Sequence, residues 1–238
     1  MFRAMIQIKS AEIKLHHLSR YANEMENTNI FRVEEIESFR EENDKNLADG
    51  YEENWEPYID ELHEYGMVFP GLLRYSVVLS TYSVIEETLV GIVKSHMTNS
   101  FSREDIKKLN EDFRYRMNSY GNKNTSLLKK LENYMRKEMK INLSFSQKTW
   151  GFIMDLKTIR NNIAHNNGRI YDDQNPDRVV KVMQSFGLIP PSSDETSDKD
   201  SDEQKAKEIE ITKVFIPHMI NQVECFLSSL LKETGQVN

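Results

Sequence analysis

Three stretches of this chain place apolar residues alternately four and three positions apart: Val78, Tyr82, Ile85, Leu89 and Ile92; Phe152, Leu156, Ile159 and Ile163; Ile216, Ile220, Val223, Leu227 and Leu230. That spacing puts one apolar stripe along each of three helices, and a stripe of this width is buried only by other helices. With nine glycines and six prolines in 238 residues there are few places to turn a chain sharply. The expectation is an all-α fold, a helical bundle with a single core. Cys225 stands alone, so no intrachain disulfide and no thiolate zinc site is expected, and no glycine-rich phosphate loop occurs. The opening MFRAMIQIKSAEIKLHHL sets Lys9, Glu12 and Lys14 where a signal peptide requires an apolar run. Together with the lack of a long uncharged apolar stretch, this predicts a soluble, cytoplasmic protein with no membrane span.

Between the striped segments, helices are predicted from Ser102 to Met117, with Ser102 as its cap, and from Thr125 to Met139, headed by Thr125. Two more are expected over 2 to 25 and 32 to 65, the second very polar, interrupted near Asp49 and Gly50 and at Pro57, and lying on the surface or on another subunit. This divides the chain into an N-terminal helical extension, 1 to 66, and a helical domain, 67 to 238. After Gly168, Tyr171 to Pro176 reads as a turn and Val179 to Phe186 as one or two helical turns. Leu188 and Ile189 are expected to pair with Ile209 to Ile211 as a small β-hairpin before the last helix, which Thr212 would cap. Residues 192 to 207 hold no aromatic or β-branched apolar side chain, and a disordered acidic loop is expected there.

The net charge of −7 is unevenly spread. Glu34 to Glu61 carries a balance of −10 and the chain beyond Pro190 one of −5, whereas Gly66 to Pro190 carries +7. A basic middle between acidic ends is compatible with an anionic ligand, and equally with solvated helix surface.

The segment with chemical content is WGFIMDLKTIRNNIAHNNGRI, Trp150 to Ile170. At about 100° per residue the stripe Phe152, Leu156, Ile159, Ile163 faces the core. The opposite side has Lys157, Ala164 and Gly168 along its middle, Asn161 nearby, and Arg160 and His165 on its flanks. Small residues there would let another helix approach closely, as in a symmetric dimer. Histidine transfers protons near neutral pH and arginine stabilises anionic charge, which is what phosphodiester cleavage needs without a metal. The 2′-hydroxyl of RNA supplies the nucleophile. His16 and His17 share a turn with Glu12, but adjacent histidines point about 100° apart, so no metal or cofactor is expected. Tyr75, Tyr82, Trp150 and Phe152 read as core, and Glu86 and Glu87 as solvated acids. The bland alternative for His165 is a cation near a helix C-terminus, with Asn166, Asn167 and Gly168 as an ordinary stop.

Arg160, followed by the polar Asn161 and, after four intervening residues, by His165, resembles the Arg-x4-His motif of the HEPN domains (higher eukaryotes and prokaryotes nucleotide-binding). The segment from Arg74 to Leu89 is similar to that family's opening helix, and the resemblance covers roughly 70 to 232. It implies a bundle that dimerises through paired motifs into one composite, metal-independent RNase site, acting on RNA, often as a toxin or in phage defence with a neutralising antitoxin or defence-system partner. Arg160 would stabilise the scissile phosphate, His165 would act as general acid or base, and Asn161 would orient one of them. The family also includes catalytically inert dimers that bind nucleotides or proteins. A tyrosine found after the histidine in one subgroup is absent here, where Asn166 and Asn167 follow.

Overall fold

The computed structural model describes residues 2–46, 56–98, 103–188 and 208–236. Eight α-helices carry these residues: α1 Phe2–Asn46, α2 Glu56–His63, α3 Phe69–Met97, α4 Arg103–Asn118, α5 Leu127–Glu138, α6 Lys148–Asn166, α7 Pro176–Ser185 and α8 Phe215–Gln236. A π-helical turn, Glu64–Val68, joins α2 to α3, and a 3-10 turn, Ser144–Ser146, precedes α6. The all-α class is thus observed, with no strand among the described residues. By length and composition alone the run Tyr58–Met97 is long and apolar enough to cross a membrane, and half of its apolar window is buried within the protein, as in the core helix of a bundle.

The chain forms two compact units. The first takes Met1–His17, Ser80–Arg160 and His218–Asn238. Its core contains Leu15, Ile85, Leu89, Leu131, Leu156 and Leu227, all fully buried. Here α1 runs antiparallel to α3, with Arg3 donating to the Thr98 carbonyl at 3.4 Å and Lys14 paired with Glu87 at 2.8 Å. Trp150 stacks on Phe226 with centroids 5.2 Å apart and meets Phe145 edge-on at 4.9 Å. Its indole N–H donates to Glu132 at 3.0 Å, and Arg136 donates to the other oxygen of that buried carboxylate at 2.9 Å. A second carboxylate, Glu233 of α8, accepts the backbone N–H groups of Asn142, Leu143 and Ser144 at 2.6, 2.9 and 2.8 Å, and the Ser144 hydroxyl at 2.7 Å. It gathers the N–H groups that open the 3-10 turn.

The second unit takes Leu18–Leu79 and Asn161–Pro217. Val78, Val179, Met183, Leu188 and Ile209 are among its buried residues. Arg74 of α3 grips Glu26 of α1 through two nitrogens, at 2.6 and 2.9 Å, and donates to the Ile211 carbonyl at 3.2 Å. Asn175 caps α7 by accepting the Arg178 N–H at 3.2 Å, with Pro176 as the first helical residue, where its missing donor costs nothing.

Several expectations are corrected. Residues 2 to 46 form one helix where a break after residue 25 was expected, because Ala22, Glu26 and Asn29 are buried and hold the intervening turns in place. Pro57 falls in the first turn of α2, where proline fits, and does not interrupt a helix. Residues 47–55, with Asp49 and Gly50, lie outside the described residues, as do Ser102 and the acidic loop 192–207. The cap of α5 is Ser126, in extended backbone and without a side-chain bond, and not Thr125, whose hydroxyl is engaged with Asn122. The last helix begins at Phe215, with Thr212 one turn earlier offering its carbonyl to the Phe215 N–H at 3.1 Å. The expected hairpin is absent from the described residues. Ile209 instead donates to the Gly168 carbonyl at 2.8 Å, and the only bridge in the described residues joins Arg169 to Glu208.

Burial by itself would push the Glu233 carboxyl up, but the hydrogen bonds from Ser144, Leu143 and Asn142 outweigh it and hold the group below the ordinary value of 4.5. A depressed carboxylate stabilises the fold above that ordinary value and ceases to do so as pH falls through its folded value. Glu233→Gln is expected to lower stability at pH 7 by about 1.5–3 kcal/mol, the scale of hydrogen bonds to a charged group. Denaturant titrations from pH 7 down to about pH 3 should show the wild type and this variant converging. Equal losses at every pH would show that the charge of Glu233 is immaterial.

Candidate functional site

Helix α6 holds the sequence-predicted residues. Its buried side is Ile153, Leu156, Ile159 and Ile163, so the stripe enters one residue later than expected: Ile153 is fully buried while Phe152 is only half-buried, its ring edge-on to His218 at 5.6 Å. The helix ends at Asn166, and Asn167 and Gly168 follow with φ of +51° and +85°. That left-handed backbone stops a helix, and glycine adopts it without steric cost.

Gly168 was expected on the outward face of the helix, and the structure corrects this. It lies beyond the helix end and is buried under Tyr75, whose hydroxyl occupies the space that a Cβ would need. The Tyr75 hydroxyl donates to the Ile209 carbonyl at 2.6 Å. Burial, then the charges of Glu208 and Glu210, push the phenol up to about 12, so it remains a donor. Asn162, a position that sequence reasoning passed over, is fully buried and ties the turn together. Its amide donates to the Arg169 carbonyl at 3.0 Å and to Asp173 at 3.1 Å. Asp173 also accepts from Asn166 at 3.3 Å and from the Asn175 N–H at 2.9 Å. The signal was present in sequence as two asparagines four apart on a helix, followed by Asp173 in a turn.

On the helix itself, Ala164 and His165 are exposed and Asn161 is half-buried. Arg160, half-buried, lays its guanidinium over the ring of Tyr82 at 5.3 Å from the centroid. Tyr82 is 2% exposed and so belongs to the core as expected, but it also forms the platform for this arginine. Its hydroxyl donates to Glu86, and burial, with the Glu86 charge, pushes the phenol up while Arg160 opposes the shift. Glu86, read from sequence as a solvated acid, is therefore part of the arginine's surroundings. Its spacing from Tyr82, one helical turn, was the available clue. Among the described residues, no group of three or more histidine, cysteine, aspartate or glutamate side chains is placed to hold a metal ion.

No family model, curated protein or solved structure matches the chain.

The two left-handed glycines give a direct test of the turn. Gly168→Ala adds the cost of a left-handed alanine and breaks the Tyr75 contact, about 2 to 3 kcal/mol together. That corresponds to a fall in melting temperature of about 4 to 12 °C. Gly187, at φ +69° with no neighbour near its absent Cβ, carries only the first of these costs. Gly187→Ala should therefore lower the melting temperature by about half as much, as differential scanning fluorimetry would read.

Proposed function

We propose that the chain is a homodimeric, metal-independent endoribonuclease of the HEPN kind, with Arg160, Asn161 and His165 as its working side chains. The observation that supports this reading is a proton-transfer group and a cation in the last turns of one helix, with Ala164 and His165 exposed between and beside them. Arg160 and His165 stand five positions apart, which is about 140° around the helix axis, so a single copy does not aim both at one phosphate. Two copies of α6 crossing at Ala164 would set the histidine of one against the arginine of the other.

In that arrangement an imidazole accepts the proton of the 2′-hydroxyl as its oxygen attacks the adjacent phosphorus. The bond from phosphorus to the 5′ oxygen breaks, and the leaving oxygen takes a proton from the second imidazole. The guanidinium offsets the charge that builds on the phosphorane, and the products are a 2′,3′-cyclic phosphate and a 5′-hydroxyl. RNA is the substrate, a second copy the obligate partner, and an antitoxin or defence-system component the further partner that such a role in toxicity or phage defence entails.

One observation favours a second reading. The stacking of Arg160 on Tyr82 beside Glu86 is what a structural arginine would show, and it suits an inert dimer of the same fold that binds nucleotides or proteins.

Cleavage of RNA by the purified protein decides between them. His165→Ala and Arg160→Ala should each slow it by about 10² or more, since proton transfer and charge stabilisation each contribute on that order. His165→Ala should leave the melting temperature unchanged, as the side chain is exposed. Arg160→Ala should lose about 0.5–1 kcal/mol with its aromatic contact. Activity should persist in EDTA, and DNA should resist. No cleavage from a dimeric protein would install the inert reading in place of the enzyme.

Assembly is tested separately by analytical ultracentrifugation. Ala164→Trp should weaken the dimer at least about tenfold, a cost of about 1.4 kcal/mol. A wild type that stays monomeric at tens of micromolar would end the composite-site reading.

A further inference from the structure

We propose that the cleft walled by α3, α4 and α5 binds a small organic phosphate, its phosphate held by Lys94, Arg114 and Lys130 and its flat apolar part laid against Phe113. The cleft lies within the first unit and is independent of the α6 motif. Its volume is about 570 Å³, within the range of ligand pockets, about 300–1,000 Å³.

The construction of its walls follows from helical spacing. Asn110, Phe113, Arg114 and Met117 recur three and four apart, so α4 presents them on one side. Val90 and Lys94 come from α3, one turn apart, and Leu127 and Lys130 from α5. Three cations therefore line one cleft, and no carboxylate does so among the described residues. Asp112, on the same helix, lines a separate cleft with Lys108 and Arg116. Glu132 of α5 is buried and held by Trp150, Arg136 and Lys129.

The two lysines are oriented by neutral acceptors. Lys94 donates to the Asn110 side-chain carbonyl at 2.6 Å and lies over the Phe113 ring at 5.1 Å, and Lys130 donates to the Asn118 side-chain carbonyl at 3.5 Å. Amides fix an ammonium without cancelling its charge, so the positive potential stays available to an incoming anion. Desolvation, with the charge of Arg114 beside it, holds Lys94 below the ordinary lysine value, as expected of a cation lacking a counterion. An arginine fork and two oriented ammonium groups match the oxygens of a phosphate. The apolar remainder, Val90, Phe113, Met117 and Leu127, would be wasted on a bare inorganic ion, and it suits a ligand with a flat apolar group attached.

Isothermal titration calorimetry of the full chain at low salt tests this with 1-naphthyl phosphate as the probe and inorganic phosphate, 1-naphthol and an eight-nucleotide single-stranded RNA as comparisons. The naphthyl phosphate should bind at least about tenfold more tightly than either fragment. Arg114→Gln and Lys130→Gln should each weaken it about tenfold or more with unchanged melting temperatures, while His165→Ala should leave it unaltered. Phe113→Leu, which preserves an apolar core residue, should bring the naphthyl phosphate towards the affinity of inorganic phosphate. Failure of the naphthyl phosphate to bind would overturn the proposal, as would binding undiminished in both glutamine variants. RNA binding without naphthyl phosphate binding would overturn it in favour of a nucleic-acid track on the same helices. Because the readout is binding and the variants expected to weaken it, at Phe113, Arg114 and Lys130, lie outside α6, its outcome is separable from that of the ribonuclease proposal.

Discussion

Helix α6 ends where it does because Asn167 and Gly168 leave right-handed backbone, and the surroundings of Gly168 permit no other residue there without rearrangement. The Tyr75 hydroxyl fills the space beside the glycine, the Ile209 N–H binds its carbonyl, and Asn162 and Asp173 brace the turn from the helix side. One stop signal thus joins α3, the end of α6 and the segment leading into α8. It also sets His165 in the last turn of α6, one residue before the helix ends at Asn166. A helix running on through residue 168 would have placed the same histidine in mid-helix and removed the Ile209 contact.

Buried carboxylates perform a comparable task elsewhere. Glu26, Glu132 and Glu233 are 5%, 4% and 9% exposed, and each finds enough donors to offset the loss of water. Glu26 takes both forks of Arg74, Glu132 joins an indole to Arg136, and Glu233 collects three consecutive backbone N–H groups. The segments they secure, residues 142 to 144 and the approach to α8, have no helical partners of their own for these donors and acceptors. Polar residues therefore join apolar burial, at Ile141, Phe145, Ile209 and Ile211, in fixing the irregular parts of this fold.

That division explains what the sequence disclosed and what it concealed. Striped helices were legible because burial of one face imposes a period on the residues, and Val78, Ile85, Leu89 and Leu156 are all fully buried as the period requires. The middle of α1 carries no such period. It is held in place by the burial of Ala22, Glu26 and Asn29, with Glu26 meeting an arginine 48 residues away, a pairing no local window contains. For the same reason Ile209 to Ile211 looked like a strand and was assigned the nearest apolar partner, whereas its true neighbour is Gly168, reached through the tertiary fold. Arg160 and His165 could be placed on one helix from spacing alone. The platform under Arg160 could not, since Tyr82 has the same apolar signature whether or not a cation lies on its ring.

The cations of the chain divide along the same line. Arg74 and Arg136 are spent on buried carboxylates, so their charge is neutralised inside the fold and replacing either would leave an unpaired acid behind. Among the described residues, Arg114, Lys94 and Lys130 share their cleft with no carboxylate, and two of them rest on neutral amides. A protein whose overall charge is −7 repels anions at long range, and at short range that repulsion is overcome only where cations are left uncompensated and close together. Stability alone gives no reason to assemble three like charges around an apolar recess, because their mutual repulsion opposes folding. Their grouping is therefore better explained by a ligand whose binding relieves it than by any role in holding the helices together.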